Sequence, residues 1–156
     1  MAELSSPSNK NNTIASTGYY VTDDKSLLDR AYIHQQIANT YWAKNIPLNI
    51  MNKAIDNSLC FGVFTHEHQQ VGFARMITDK ATFAYLADVF IETNHQQRGL
   101  AKLLMQTIQA HPDLQNLRRQ VLATADAHGL YHQYGFKPLE NPATFMENWQ
   151  PNIYNQ

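Results

Sequence analysis

The stretch that decides the fold is ADVFIETNHQQRGLAKLLMQTI, Ala87 to Ile108. An apolar run ends at Ile91, a polar segment follows, Arg98-Gly99 comes next, and a helical pattern begins at once. Leu100, Leu103, Leu104, Thr107 and Ile108 recur at the three-and-four spacing of a helix with one apolar face, and His111-Pro112 stops it. A glycine-containing loop that opens a helix is an anion site in outline, because unpaired N–H groups and the helix dipole both favour negative charge. Gly99 has no Cβ and admits close approach, Ala101 is nearly as small, and Arg98 carries a guanidinium that grips phosphate. The spacing is neither G-x-x-x-x-G-K-[ST] nor G-x-G-x-x-G. On loop chemistry alone, a pyrophosphate site and a plain helix start with solvated charges stand side by side.

Outside this stretch the bulk properties narrow the field. The 156 residues suit one domain with a real core. A formal net charge of −1 gives no general attraction to nucleic acid or to an anionic membrane, so an anion must be bound locally. The single Cys60 excludes an intrachain disulfide and sits in the apolar run SLCFGVF, where a buried thiol is expected rather than a nucleophile. No apolar stretch approaches the roughly 20 residues that span a bilayer. The polar N-terminus lacks the apolar core of a signal peptide, so a cytoplasmic protein is expected, with residues 1–17 as a mobile tail and 18–156 as one domain.

Along that domain GYYVTDD reads as a short strand, with Asp24 placed to cap the next segment. Leu27, Leu28, Ala31, Tyr32, Gln35, Ile37 and Ala38 approximate a helical stripe, and a second helix on Leu48, Met51 and Ile55 comes after Pro47. LCFGVFT and QVGFARMITD form an antiparallel hairpin across HEHQ, and TFAYLADVFIE is a longer third strand. After the helix from Gly99 come a buried strand, QVLATA, and a short helix, DAHGLYHQYG, with Asp126 at its N-cap and Gly135 past its C-terminus. FKPLENPATFMENW closes the chain as strand material broken by prolines. The order β-α-α-β-β-β-α-β-α-β makes an α/β sandwich on a mostly antiparallel sheet.

Two of these segments together carry a resemblance. Gln96-Gln97-Arg98-Gly99-Leu100-Ala101 is similar to the Q/R-x-x-G-x-G/A signature of the GCN5-related N-acetyltransferases (the GNAT superfamily), and it stands where that family has it. LYHQYGF, Leu130 to Phe136, resembles the family's second landmark, a helix bearing L-Y-x-x-x-G-F, one helix and one strand downstream. The resemblance spans roughly Gly18 to Pro151. It implies acetyl-CoA as co-substrate, with its pyrophosphate over Gln96 to Lys102 and its pantetheine paired along Val89, Phe90 and Ile91. Thr124 stands where the family often has asparagine, and His128, near the helix start, is placed to touch either the cofactor or the acceptor. Tyr131 matches the tyrosine placed near the thioester sulfur, where a phenol protonates the departing thiolate. A core aromatic is the alternative for Tyr131.

The remaining roles are open. Asp88 interrupts an apolar strand, and alternation puts it opposite Val89 and Ile91, on the face of Leu86 and Phe90. It can take the amine's proton, orient the acceptor, or bond a neighbouring strand. Tyr85 stands where some histone-modifying members carry a glutamate, so a water-relayed proton path stands beside Asp88. His128 and His132 have i, i+4 spacing without an evident third ligand, and no metal is expected. Tyr41 and Trp42 either line the acceptor pocket or pack at a helix end. The expected reaction is acetyl transfer to a primary amine of a small molecule or peptide. The alternative is an acyl-CoA-sensing module of the same fold. Dimerisation is common in such folds, and no residue here fixes a homodimer.

Overall fold

The computed structural model describes residues 12–15 and 17–155. The runs LCFGVF and QVGFARMIT pair as an antiparallel hairpin, β3 (Leu59–Phe64) and β4 (Gln70–Thr78). The sheet extends on one side through β2 (Tyr20–Thr22) to β1 (Thr13–Ile14) and on the other through β5 (Phe83–Ile91) to β6 (Arg119–Leu122). Every pairing is antiparallel except β5–β6, whose strands are joined by the crossover helix α3 (Leu100–Ala110). With α1 (Arg30–Ala38), α2 (Leu48–Asp56) and α4 (His128–His132), this is the mixed, mostly antiparallel α/β architecture expected.

Strand alternation sends apolar side chains to both faces, and a separate core forms on each. On one face Val21, Phe61, Val63, Ala74, Met76 and Leu86 pack against Leu100, Leu103, Leu104, Met105 and Ile108 of α3. On the other, Cys60 and Phe73 meet Ile33 and Ile37 of α1 and Met51 and Ile55 of α2. Each large apolar side chain buried this way contributes about 1.5–3 kcal/mol. Buried Gln70 ties the sheet to the start of α1, accepting the Asp29 N–H at 2.8 Å and donating to the Gly72 carbonyl at 3.1 Å. No described helix is long and apolar enough to cross a membrane.

Four expectations change. The first helix begins later than its stripe implied: Asp24 caps a single 3-10 turn over Lys25–Leu27, and Asp29 then caps α1 by accepting the Tyr32 N–H at 3.0 Å. Asp126 does not cap α4; Thr124 Oγ1 accepts the Ala127 N–H at 3.0 Å instead. The last strand does not form among the described residues, since Pro138, Pro142 and Pro151 withhold N–H donors and β6 remains an edge. Residues 1–11 of the expected tail lie outside the described residues, and Thr13–Ile14 within it pair with β2.

Gly72 in β4 has no room for a side chain. A Cβ there would lie 2.8 Å from Ile91 Cδ1 and 3.0 Å from the Phe90 carbonyl oxygen. Gly72→Ala is therefore expected to destabilise the fold by about 1–3 kcal/mol. Calorimetric melting checks this, and an unchanged midpoint would show that the strands yield at no cost.

Candidate functional site

The two parallel strands separate where a ligand could enter. Their pairing runs from Phe83↔Arg119 to Leu86↔Leu122 and stops, while β5 continues to Ile91. From Ala87 to Ile91 the β5 edge facing away from β4 has no described strand beside it. Val89, Phe90 and Ile91 thus lie on an open edge that leads directly into the loop before α3.

That loop has the geometry of an anion cradle. Gln97 and Gly99 both take left-handed φ angles, 62° and 75°, and a Cβ placed on Gly99 would meet nothing within 4 Å. No side chain caps α3, and its first main-chain bond is Leu103 N–H to the Gly99 carbonyl. The N–H groups of Leu100, Ala101 and Lys102 belong to the uncapped first turn. Leu100 points its side chain into the core, so it offers only its backbone, while Arg98 and Lys102 are exposed cations at the rim. Gln96, exposed, donates to the Ile91 carbonyl at 3.0 Å and clips the loop to the strand end. Tyr19 adds an unforeseen support: its hydroxyl sits 2.9 Å from His95 Nδ1 and accepts from Arg98 Nη1 at 3.4 Å.

α4 brings Tyr131 beside the end of β6. With Leu122, Ala123, Thr124, His128 and Phe136 it lines a cavity of about 560 Å³. Gly135 takes the expected left-handed turn, φ 88°, and the chain folds back so that Phe136 N–H bonds the Tyr131 carbonyl. Phe136 then meets the Tyr131 ring edge-on at 6.2 Å. Tyr131 is 8% exposed, and burial, helped by the Asp126 charge, raises its phenol above the ordinary value of 10.0. It is a core aromatic whose phenol stays in its neutral form at neutral pH.

Asp88 departs from simple alternation. Ala87 pairs with Arg75 and Phe90 with Phe73, so Asp88 and Val89 together oppose Ala74 alone. Asp88 is the bulged residue, with φ 56°. The extra residue shifts the faces, and Leu86 shares the α3 side with Val89 and Ile91 while Phe90 packs toward α1 and α2. The expected grouping of Asp88 and Phe90 with Leu86 is corrected on that ground. The Asp88 carboxylate, 8% exposed, accepts Arg75 Nε–H at 2.9 Å on Oδ2 and Trp42 Nε1–H at 3.0 Å on Oδ1. Arg75 also donates to Ser58 Oγ at 3.1 Å. Sequence reading missed Arg75, yet a signal existed: opposite charges interrupt two consecutive apolar strands, and buried charges need partners.

In the loop after α1, Tyr41 and Trp42 are not core residues. They stand 72% and 47% exposed with their rings edge to face at 5.0 Å. Tyr32, also missed, donates to Glu92 at 2.9 Å, and burial with the neighbouring carboxylate raises its phenol strongly. Among the described residues no three His, Cys, Asp or Glu side chains cluster as metal ligands. Cys60 is 1% exposed, and burial pushes its thiol up to about 11. It should resist a disulfide reagent at pH 8 in the folded protein and react after denaturation; rapid labelling of native protein would contradict its burial.

Comparison with known proteins places this geometry. The family model of the acetyltransferase (GNAT) domain matches residues 12–149. A Gibberella zeae protein named "putative acetyltransferase" is 32% identical over 133 residues, covering 72% of this chain and 75% of its own. A crystal structure of a GNAT-family protein from Xanthomonas campestris pv. campestris is 50% identical, with a TM-score of 0.87 over 92% of this chain and all (100%) of its own. The fold is shared more distantly with a Clostridium acetobutylicum protein solved with acetyl-CoA, at 14% identity and a TM-score of 0.58 over 83% of this chain and 94% of that one. The domain match over most of the chain and these relatives show that the protein belongs to the GNAT family of acetyltransferases.

Proposed function

We propose that the protein is an acetyl-CoA-dependent N-acetyltransferase acting on a primary amine of a small molecule or peptide, by direct attack in a ternary complex. The observation that carries this reading is the parting of β5 from β6 immediately before an uncapped α3 N-terminus. An extended pantetheine arm fits the free edge at Val89, Phe90 and Ile91 as an added strand. A pyrophosphate fits the amides of the α3 first turn, with Arg98 and Lys102 as countercharges. When bound, the cofactor supplies a thioester whose acetyl carbon is the electrophile.

The remaining tasks fall to the chain. Backbone N–H groups along the open edge stabilise negative charge on a carbonyl oxygen. Tyr131, raised above 10.0 and therefore protonated at neutral pH, is assigned to donate its phenolic proton to a leaving thiolate. Thr124, which holds the start of α4, sets the orientation of the helix that carries Tyr131. Asp88 already accepts from two donors, so its geometry favours holding the strand over taking a proton, and the amine's proton leaves through water. Tyr41 and Trp42 offer the exposed aromatic surface against which an acceptor can settle.

CoA release followed with a thiol reagent across a panel of amines tests this reading. Turnover on at least one amine is expected, and Tyr131→Phe should lower kcat by about 10²-fold while acetyl-CoA affinity stays within a few-fold. Tight acetyl-CoA binding without turnover on any amine would favour the sensing module. Absence of acetyl-CoA binding would defeat both.

A further inference from the structure

We propose that Trp42 is a positioning residue that links the acceptor surface to the cofactor strand, holding the Asp88 bulge through its indole N–H while presenting its ring to the acceptor. The proposal rests on the proposed function, in which residues 89–91 receive the cofactor. Its geometric basis is independent of that reading. Trp42 lies in the loop after α1, and through Asp88 it reaches the one residue of β5 whose backbone turns left-handed.

A non-glycine residue at φ 56° is strained and persists only where its surroundings hold it. Asp88 is held from two directions: Arg75 comes from the neighbouring strand, and Trp42 comes from a loop outside the sheet. The Arg75 contact is rigid, since β4 is buried and Ser58 fixes the far side of the guanidinium. Trp42 differs because nearly half of its surface is open and its ring leans on the still more exposed Tyr41. A molecule that settles on these rings presses on a side chain whose other end grips the bulge. The bulge sits within the free edge, which begins at Ala87, and the residues that follow it, Phe90 and Ile91, continue that edge to its end. The acceptor surface and the cofactor edge are thus joined by one hydrogen bond to a carboxylate, the class of bond whose loss is felt most when its partner is buried.

The test is a mutant cycle read by acetyl-CoA binding and by amide NMR of the free protein. Its members are the wild-type chain, Trp42→Phe, Arg75→Met/Asp88→Leu, and the triple variant. The paired substitution removes both buried charges together and so avoids leaving one uncompensated. Trp42→Phe is expected to weaken acetyl-CoA binding about five- to tenfold in the wild-type background and by less than about twofold in the chain lacking Asp88. Its amide shifts should concentrate at residues 87–91. Equal cost in both backgrounds, or unmoved amides at 87–91, overturns the proposal and leaves Trp42 a wall residue only. If wild-type protein does not bind acetyl-CoA, the functional reading fails, and the amide shifts alone decide whether Trp42 holds the bulge.

Discussion

The buried ion pair between Arg75 and Asp88 is the contact on which the site's geometry depends. It joins two neighbouring strands at the point where β5 carries one residue more than β4. Without that extra residue, alternation would place Val89 and Ile91 on the α1–α2 face and send Phe90 toward α3. With it, both cores are filled correctly and the strand runs on past its last contact with β6. Removing one partner alone would leave a buried charge uncompensated, at a cost of about 3–5 kcal/mol. The pair adds little net stability compared with apolar residues, so its value lies in fixing one register.

Around this bulge the chemistry divides between rigid and exposed parts. The anion cradle stands on a long helix whose inner face is anchored by six buried residues. The proposed proton donor, Tyr131, stands on a short helix and packs into the same core. The other side of β5 is looser, with half-exposed Trp42 and exposed Tyr41 reaching across from the loop after α1.

Much of this was legible in the sequence, for reasons that can be named. The α3 face was readable because Leu100, Leu103, Leu104, Thr107 and Ile108 follow helical spacing without interruption, and all are buried. The loop was readable because small Gly99 and Ala101 and the Arg98 cation stand together at a helix start, and the left-handed φ of Gly99 is what the structure adds. The bulge was not, since a period-two pattern assumes equal strand lengths and no residue type announces an extra one. Asp88 drew notice as a charge in an apolar strand, but its partner is set by pairing register, which a single strand does not carry. The late start of α1 was hidden because Leu27 and Leu28 mimic its stripe while Asp29 supplies the cap that decides it. The final strand failed where local composition, rich in β-formers such as Phe145 and Trp149, competes with prolines that cannot join a ladder.

In the proposed function the free edge of β5 and the first turn of α3 together receive acetyl-CoA. Amide hydrogen exchange, followed residue by residue with and without acetyl-CoA, tests it most directly. The Glu92 N–H bonds the Val71 carbonyl on β4, so alternation turns the Val89 and Ile91 N–H groups to the free edge. Slowing of about tenfold or more at Val89, Ile91 and Leu100 to Lys102, with β2 and β3 unchanged, is the predicted result. Binding that leaves those amides exchanging at their free rates would contradict it.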